Sequence, residues 1–435
     1  MDRRAFLKSV APIAAAPGFA PRRAAGAEPA DKLFLGAPLT HSDWMLKPNI
    51  AEGAEGVRHM LDACKAAGWS RVYWRAFDAG QATYKSQLLA PGTRPEEDNF
   101  YNPKAAEDLA LQRRIFPGLT PERSAEILAK VKRVDYAGFD SLAAAVEYGH
   151  AIGLQIHAWA TINEDDHGWG SRSEFAKAHP EWRWVRRDGR PYRSQLSFAF
   201  EEVRRYKLAL IEELLAGYAI DGLLLDWIRT GDVRDNPQND PAGIANYGHE
   251  TPNLARFKAL HGRDPRDLPA DDDRWASVRA EPQTLFMRRV RELARSRPRP
   301  VAVAALVGHP WHYRGDVGQP IAGNLKGLLL DTGTWAEEGL VDSVVAAGYY
   351  RDGGTPEQAH CALREETRGK VDVWTYAWVP RSVAEFERDF ALARSLGAPQ
   401  ILFWEADYID DRPDAGAIGE AMTRKSAGMG DRGQK

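Results

Sequence analysis

The sequence lacks the features that define several large classes of protein. It has only two cysteines, Cys64 and Cys361, among 435 residues, so we expect no disulfide framework of the kind found in small secreted domains. Each cysteine falls in a predicted helix, and we expect two buried free thiols. No run of about 18 apolar residues is present, which leaves no candidate for a stable membrane span.

The sequence also has little net charge. Its 58 basic and 61 acidic residues give a net charge of −3, so no positive surplus favours nucleic acid as a partner. No GxGxxG or P-loop pattern opens a predicted helix, which disfavours a nucleotide site and an open doubly wound sheet. We therefore predict no cofactor.

Tryptophan, in contrast, is abundant, with 14 residues in the chain. Many of them stand at the ends of predicted strands rather than along helix faces, which favours an aromatic-lined binding cleft. Hydrophobic residues make up 44% and charged residues 27% of the sequence, the composition of a globular protein with ample material for a core.

Residues 1–27 resemble a twin-arginine export signal. Arg3 and Arg4 precede an Ala/Pro-rich apolar stretch, and Ala25-Gly26-Ala27 offers a cleavage site between small residues. Asp2 stands where Ser or Thr is more usual. A basic, disordered N-terminus is the alternative. The signal predicts recognition by the twin-arginine export machinery and a periplasmic or extracellular mature protein.

Strand-like and helix-like segments alternate along the rest of the chain. The predicted strands are residues 33–39, 71–77, 154–160, 221–227, 301–307, 342–350, 371–378 and 400–406. The helical segments are 54–68, 140–153, 203–218, 284–296 and 382–397. About eight such repeats predict an α/β fold, a (β/α)₈ TIM barrel over residues 28–423, with a disordered tail over 424–435.

Three connections from strand to helix are long: 78–139, 161–201 and 228–281. In a barrel these connections lie at the C-terminal face, where active sites are built. Asp226 ends the fourth predicted strand at this face, and we predict it to be catalytic. A structural ion pair with Arg229 is the alternative.

A second carboxylate is expected at the same face. Glu405 would end the eighth strand facing inwards, because it continues the alternation of Ile401 and Phe403. A salt bridge at the rim is the alternative for Glu405. The competing carboxylates are Asp352, Asp316 and Glu164.

Other polar and aromatic side chains are expected around the cleft. Alternation along residues 154–161 gives His157 and Trp159 the same face, so we expect both in the barrel lumen and His157 near Asp226. A hydrogen-bonded core histidine is the alternative. The predicted substrate-binding residues are Arg75, His157, Trp159, Trp227, Arg229, Tyr349, Tyr350, Trp378 and Trp404.

Carboxylates and indole rings around one cleft are typical of glycoside hydrolysis. One carboxyl group protonates the leaving oxygen, and the other attacks or stabilises the oxocarbenium-like centre. Indole faces stack on the C–H faces of sugar rings. We therefore expect a carbohydrate substrate, whose glycan, linkage and stereochemistry the sequence leaves open.

Several segments together resemble the glycosyl-hydrolase-like ten group of bacterial proteins. They are LQIHAWATIN (154–163), HPEWRWVRRDGRPY (179–192), VRRYKLALIEELLAGYAIDGLLLDWIR (203–229), RAFDAGQATYKS (75–86) and TWAEEGLVDSVVAAGYY (334–350). The resemblance implies a TIM barrel of glycoside hydrolase type. It also implies Asp226 as the most characteristic polar residue, beside His157 and Trp159. The ending AAGYY departs from the Pro-Gln-x-Tyr-like ending of the group, which leaves the chemistry at Tyr349 and Tyr350 open.

Two alternatives from other classes remain. One is a carbohydrate-binding barrel that has lost its acid pair and has no catalytic activity. The other is a metal-dependent hydrolase or deacetylase that uses His309 and His312 with His157 and Asp226. The first predicted strand lacks the His-x-His pair that such metal-dependent barrels carry, so we predict no metal.

Overall fold

The computed structural model of the chain describes residues 33–40, 47, 50–78, 80–92, 106, 109–110, 119–163, 165, 173–226, 228, 247–269, 272–307, 330–346, 355–404, 406 and 415–427. The predicted signal segment, 1–27, lies outside the described residues, and its boundary stays a prediction.

Eight parallel strands form a closed barrel. They are β1 (Phe34–Leu39), β2 (Arg71–Asp78), β5 (Gln155–Thr161), β8 (Gly222–Asp226), β9 (Ala302–Val307), β10 (Ser343–Ala346), β11 (Asp372–Trp378) and β12 (Gln400–Trp404). Each pairs with the next in this order, and β1 closes the ring by pairing with both β2 and β12. The predicted (β/α)₈ barrel is therefore confirmed.

Four shorter strands lie outside the ring. The strands β3 (Gln81–Ala82) and β4 (Ala90–Pro91) extend the sheet from β2. A separate antiparallel hairpin consists of β6 (Arg183–Val185) and β7 (Pro191–Leu196). Because the hairpin lies between β5 and the long helix Glu201–Gly217, it belongs to the connections of the C-terminal face.

Helices follow the barrel strands and cover their outer faces. They are α1 (Gly53–Ala66), α2 (Pro121–Arg133), α3 (Ser141–Ala151), α4 (Glu174–Ala178), α5 (Glu201–Gly217), α6 (Thr251–His261), α7 (Asp273–Arg295), α8 (Thr332–Glu337), α9 (Pro356–Glu366), α10 (Val383–Leu396) and α11 (Ala415–Ala427). Two single turns of 3₁₀-helix, Pro180–Trp182 and Pro265–Asp267, lie in the connections.

Barrel strands are buried on both faces, which explains why they read as apolar runs. In β8, Leu223 and Leu225 pack in the outer layer with the helices, whereas Leu224 lies in the lumen. The lumen cluster contains Tyr73, Trp159, Leu224, Ala304, Leu306, Val345, Trp374, Tyr376 and Leu402. Large aromatic rings therefore fill the centre of the barrel, so the barrel is a packed core and not a pore.

Two aspartates fix the N-terminal ends of neighbouring strands. Asp221 precedes β8, and its Oδ2 accepts a hydrogen bond from the Ile156 amide at 2.8 Å. Asp342 precedes β10 and accepts one from the Val303 amide at 2.8 Å in the same way. These carboxylates serve the barrel scaffold, at the end remote from the C-terminal face.

Two sequence predictions about the chain need correction. Cys64 is buried as expected, but Cys361 is exposed on α9, because its side chain points away from the buried face that contains Ala359 and Leu363. The last helix runs to Ala427, so the predicted disordered tail begins too early. Residues 347–350 of the sixth predicted strand lie outside the described residues.

Candidate active site at the C-terminal face of the barrel

Asp226 is the last residue of β8 and lies at the C-terminal end of the barrel. It stands opposite Thr161, the last residue of β5. Its side chain is buried, with 1% of the residue exposed. The Trp159 indole Nε1–H donates a hydrogen bond to Asp226 Oδ2 at 3.1 Å. This bond fixes the orientation of the carboxyl group, because indole offers one donor in one direction.

Trp159 lies between the acid and a buried guanidinium. The Arg75 Cζ atom lies over the Trp159 ring, 4.5 Å from its centroid, so the guanidinium makes a cation–π interaction with the indole face. On another side, Trp404 meets Trp159 edge to face with centroids 5.2 Å apart. The structure thus brings together Asp226, Trp159, Arg75 and Trp404 from four different strands, as the sequence predicted for a common cleft.

Further aromatic rings continue from Trp404 to the rim of the barrel. Tyr376 of β11 lies 5.9 Å from Trp404, measured between ring centroids, and 6.2 Å from Trp378. Trp378 is the last residue of β11, and 58% of it is exposed. The predicted substrate-binding residue Trp378 therefore lies at the rim, and Tyr376 connects it to the buried part of the site.

The expectation that His157 lies near Asp226 is wrong. Its register partner in β8 is Gly222, at the opposite end of the strand from Asp226. A side chain on Gly222 would place a Cβ 2.1 Å from His157 Nδ1, so the glycine makes room for the imidazole. Alternation correctly predicted that His157 faces the lumen, but alternation does not specify depth within the barrel.

His157 lies at the N-terminal end of the lumen, beside a layer of hydrogen-bonded side chains. Its ring packs against Tyr73, whose hydroxyl accepts a hydrogen bond from Gln400 Nε2 at 2.6 Å. Arg71 Nη1 donates to Gln400 Oε1 at 2.9 Å. Burial, reinforced by the Arg71 charge, lowers the pKa of His157 to about 3. The imidazole is therefore neutral at physiological pH and belongs to the scaffold.

Several predicted residues lie outside the described residues. They are Glu405, Trp227, Arg229, Tyr349 and Tyr350, the competing carboxylates Asp352, Asp316 and Glu164, and the histidines His309 and His312. Their roles stay predictions. The alternation from which Glu405 was predicted to face inwards is wrong, because Ile401 and Phe403 pack in the outer layer, whereas Leu402 and Trp404 lie on the lumen side. Within the described part of the chain, no group of three or more His, Cys, Asp or Glu side chains is arranged to hold a metal ion.

Residues 121–371 match the family described as glycosyl hydrolase-like 10, and this match spans more than half of the 435-residue chain. The chain belongs to the glycosyl hydrolase-like 10 family. The resemblance inferred from the sequence segments is thereby confirmed. No curated protein matches the sequence significantly. In the described ranges, no helix has both the length and the apolar character needed to cross a membrane.

Solved structures share the barrel of this glycosyl hydrolase-like 10 protein. The PgaB (BpsB) glycoside hydrolase domain from Bordetella bronchiseptica has a TM-score of 0.55 and 15% identity, covering 90% of this chain and 99% of that domain. The β-amylase catalytic domain from Paenibacillus polymyxa has a TM-score of 0.57 and 10% identity, covering 91% and 99%. The α-L-fucosidase isoenzyme 2 from Paenibacillus thiaminolyticus has a TM-score of 0.53 and 14% identity, covering 91% and 49%. At these identities the likeness shows the fold alone.

A buried ion pair in this glycosyl hydrolase-like 10 barrel escaped sequence analysis. Lys207 Nζ of α5 contacts Asp165 Oδ2, and both side chains are buried. Ser173 Oγ donates to the other carboxyl oxygen of Asp165 at 2.7 Å. The connection after β5 is thereby attached to α5, close to the point where the Ile162 amide bonds to the Asp226 carbonyl at 2.8 Å. The sequence contains one indication of this pair. Lys207 lies on the apolar face of the helix, together with Val203, and a lysine on a buried face needs an acidic partner.

A second buried cluster joins the β6–β7 hairpin to the segment before α6. Glu250 accepts hydrogen bonds from Ser197 Oγ and from the Val185 amide. Burial raises the pKa of Glu250 to about 7. Arg279 of α7 donates to the Tyr247 carbonyl at 2.9 Å in the same region, and burial lowers its pKa to about 9. This cluster supports the connections around the mouth and lies in residues that sequence analysis did not single out.

Proposed function

We propose that the protein is an exported glycoside hydrolase that cleaves a glycosidic bond of a poly- or oligosaccharide with the participation of Asp226. The observation that carries the proposal is the position of this carboxyl group. It ends a barrel strand at the face where barrel enzymes build active sites, and Trp159 fixes its orientation among aromatic rings. A carboxylate held in this way can attack or stabilise an oxocarbenium-like sugar centre.

Glu405 is the proposed general acid/base. It follows Trp404, the last residue of β12, and β12 lies opposite β8 in the order of strands around the barrel. Carboxyl groups from opposite sides of a mouth can flank one glycosidic bond, and their separation determines whether the reaction retains or inverts configuration. Asp352, Asp316 and Glu164 are the competing sources of the acid.

The remaining roles follow from contacts and from position in the chain. Arg75 supports Trp159 and through it Asp226, so Arg75 is a positioning residue. We assign Trp378 and Trp404 to sugar stacking, and Trp227, Arg229, Tyr349 and Tyr350 to further substrate contacts. Trp159, predicted to bind substrate, is fully buried with Arg75 over its ring, so its role is to hold Asp226. His157 has no such role in the proposal, because it lies at the other end of the lumen.

The test is release of reducing ends from a panel of bacterial, algal and plant polysaccharides by the chain starting at Glu28. We expect Asp226→Asn and Glu405→Gln each to lower the rate by about 10²- to 10⁴-fold, the range measured for positioned acids and bases. Asp188→Asn is the matched control, because Asp188 is exposed in the hairpin turn and should leave the rate unchanged.

The outcomes separate the candidate functions. Loss of activity in Asp226→Asn alone would keep the reaction and move the acid to one of the competing carboxylates. Binding of a glycan without release of reducing ends would favour a carbohydrate-binding barrel without catalytic activity. If the protein neither binds nor cleaves any glycan of the panel, the proposal is contradicted. Elemental analysis for a bound metal is then the next measurement.

The proposal places the mature protein in the periplasm or outside the cell, because Arg3 and Arg4 precede an apolar segment in the manner of a twin-arginine signal. Replacing both by lysine should leave the full-length precursor in the cytoplasmic fraction. Equal amounts of processed protein in the periplasm from both forms would contradict this assignment.

A further inference from the structure

An exposed indole marks one position on the rim of the barrel. Among the described residues, the large hydrophobic side chains that are exposed are Leu260, Leu285 and Trp378. Leu260 and Leu285 lie on the helices α6 and α7, whereas Trp378 ends a barrel strand. Single exposed leucines are ordinary, but a largely exposed tryptophan at the ligand-binding face of a barrel calls for a partner.

The backbone beneath this indole is fixed. Trp378 stands opposite Trp404 in the pairing of β11 with β12. The next residue, Val379, is buried, and its amide donates a hydrogen bond to the Trp404 carbonyl at 3.0 Å. The indole is therefore presented from a paired strand end, and its side chain has only two rotatable bonds. Such a ring binds a ligand at low entropic cost.

The exposed ring is continuous with the candidate catalytic carboxylate. From Trp378, contacts pass through Tyr376 and Trp404 to Trp159, with ring centroids no more than 6.2 Å apart at each step. Trp159 in turn donates its hydrogen bond to Asp226. Tyr376 and Trp159 are buried, so these contacts show that Trp378 and Asp226 belong to one aromatic layer at the same face of the barrel. A glycan, with a pyranose ring repeated along its length, can place one ring on Trp378 and another at Asp226. A single small sugar at Asp226 would leave Trp378 without a partner.

We infer that Trp378 forms an outer subsite on which one pyranose ring of a glycan chain stacks while another part of the same chain occupies the site at Asp226. The substrate is then a chain of several sugars that leaves the mouth across β11 and β12. This inference rests on the proposed function for the location of the reaction. Binding at Trp378 can nevertheless be measured without turnover.

The experiment measures binding by isothermal titration calorimetry in the Asp226→Asn background, so that no probe is hydrolysed. The probes are cellohexaose, mannohexaose and chitohexaose, with the corresponding disaccharides. For the hexasaccharide that binds best, Trp378→Ala should weaken binding about tenfold, the scale of one aromatic contact. The effect on the disaccharide should be less than twofold, and Trp378→Phe should recover most of the lost affinity.

Trp182→Ala is the control variant. Trp182 is also partly exposed, but it stacks on His179 with ring centroids 3.8 Å apart and belongs to a different aromatic group. The Trp182→Ala substitution should leave the affinity for each probe unchanged. Circular dichroism of all variants checks that a weaker affinity does not come from unfolding.

Two results would overturn the inference: equal affinity of Trp378→Ala and its parent for every probe, or no binding of any probe to the parent at millimolar concentration. Failure of the proposed function is a separate result. If glycans bind in a Trp378-dependent manner but the unmutated protein releases no reducing ends, the subsite stands and the hydrolase proposal fails. If reducing ends are released and the Michaelis constant is the same with and without Trp378, the hydrolase proposal stands and the outer subsite fails.

Discussion

Trp159 allows two charged side chains to lie in one buried place. An indole carries a positive edge with its N–H group and a negative face, so it can serve an anion and a cation in different directions. Asp226 lies at the edge and Arg75 over the face. The neutral indole thus contacts both groups and contributes to holding the acid at the end of an apolar strand.

Replacing Trp159 by phenylalanine removes the donor to Asp226 and keeps an aromatic ring in the lumen. Since a hydrogen bond to a charged group contributes about 1.5–3 kcal/mol, we expect kcat/KM to fall by about one to two orders of magnitude. The measurement is steady-state kinetics on the glycan found in the activity screen.

Trp74→Phe is the matched control for this variant. Trp74 is also buried, and its Nε1–H donates to Ser141 Oγ at 3.1 Å, outside the lumen. It should lower stability without a comparable loss of kcat/KM. Equal kinetic losses in the two variants would show that the Trp159 hydrogen bond has no special role.

Among individual residues, sequence predicted faces better than depths. Alternation placed Arg75, Trp159 and His157 on the lumen side, and the structure agrees. In β12 the predicted faces are inverted, because Ile401 and Phe403 pack in the outer layer and Leu402 and Trp404 lie on the lumen side. It could not show that His157 and Asp226 lie at opposite ends of the same strand pair, because register depends on how β5 and β8 align. Gly222 leaves the space that the His157 ring occupies, but a glycine in the sequence does not indicate which residue of the neighbouring strand lies beside it.

At the level of elements, the Asp165–Lys207 ion pair attaches the connection after β5 to α5. Lys207→Met would leave Asp165 buried without its counter-charge, and we expect a loss of about 3–5 kcal/mol in the free energy of unfolding. The double variant Lys207→Met with Asp165→Asn should recover a large part of that loss. Asparagine is neutral and can still accept the Ser173 hydrogen bond.

Urea denaturation of the two single variants and the double variant gives the coupling energy between these residues. A double variant that loses the sum of the two single losses would contradict the idea that the two charges stabilise each other. The same proteins show whether detachment of the connection affects activity.

Elements with strong periodicity were predicted, and irregular ones were not. All eight barrel strands were found because each is an apolar run between turns. Helix α7 was predicted only over residues 284–296, yet it begins at Asp273 and continues through Pro282, a residue type that usually marks a helix boundary. The β6–β7 hairpin was missed because its strands are short and rich in charge. Asp188–Gly189, with Gly189 at a φ of 88°, is the turn signal that could have found it.

For the whole molecule, two buried groups make stability depend on pH in opposite senses. His157 has its pKa lowered to about 3, so between that value and its unfolded pKa the unfolded chain binds more protons, and stability rises with pH. Glu250 has its pKa raised to about 7, so between its unfolded pKa of about 4.5 and pH 7 the folded chain binds more protons, and stability falls with pH. The two slopes oppose each other between about pH 4.5 and 6.5.

The Glu250→Gln variant removes one of these slopes. We expect its free energy of unfolding, relative to that of the unmutated protein, to rise between pH 5 and 7, with a maximum slope of about 1.4 kcal/mol for each pH unit. Urea denaturation at several pH values measures this difference. A difference that stays constant with pH would mean that Glu250 titrates alike in the folded and unfolded chains.

The placement of the two cysteines has a practical consequence. Cys64 is buried in α1, whereas Cys361 is exposed on α9, and the chain has no others. A maleimide dye added to the folded, unmutated protein would therefore attach at one known position. Fluorescent labelling, or oriented immobilisation on a sensor chip, then needs no engineered cysteine and no removal of a native one.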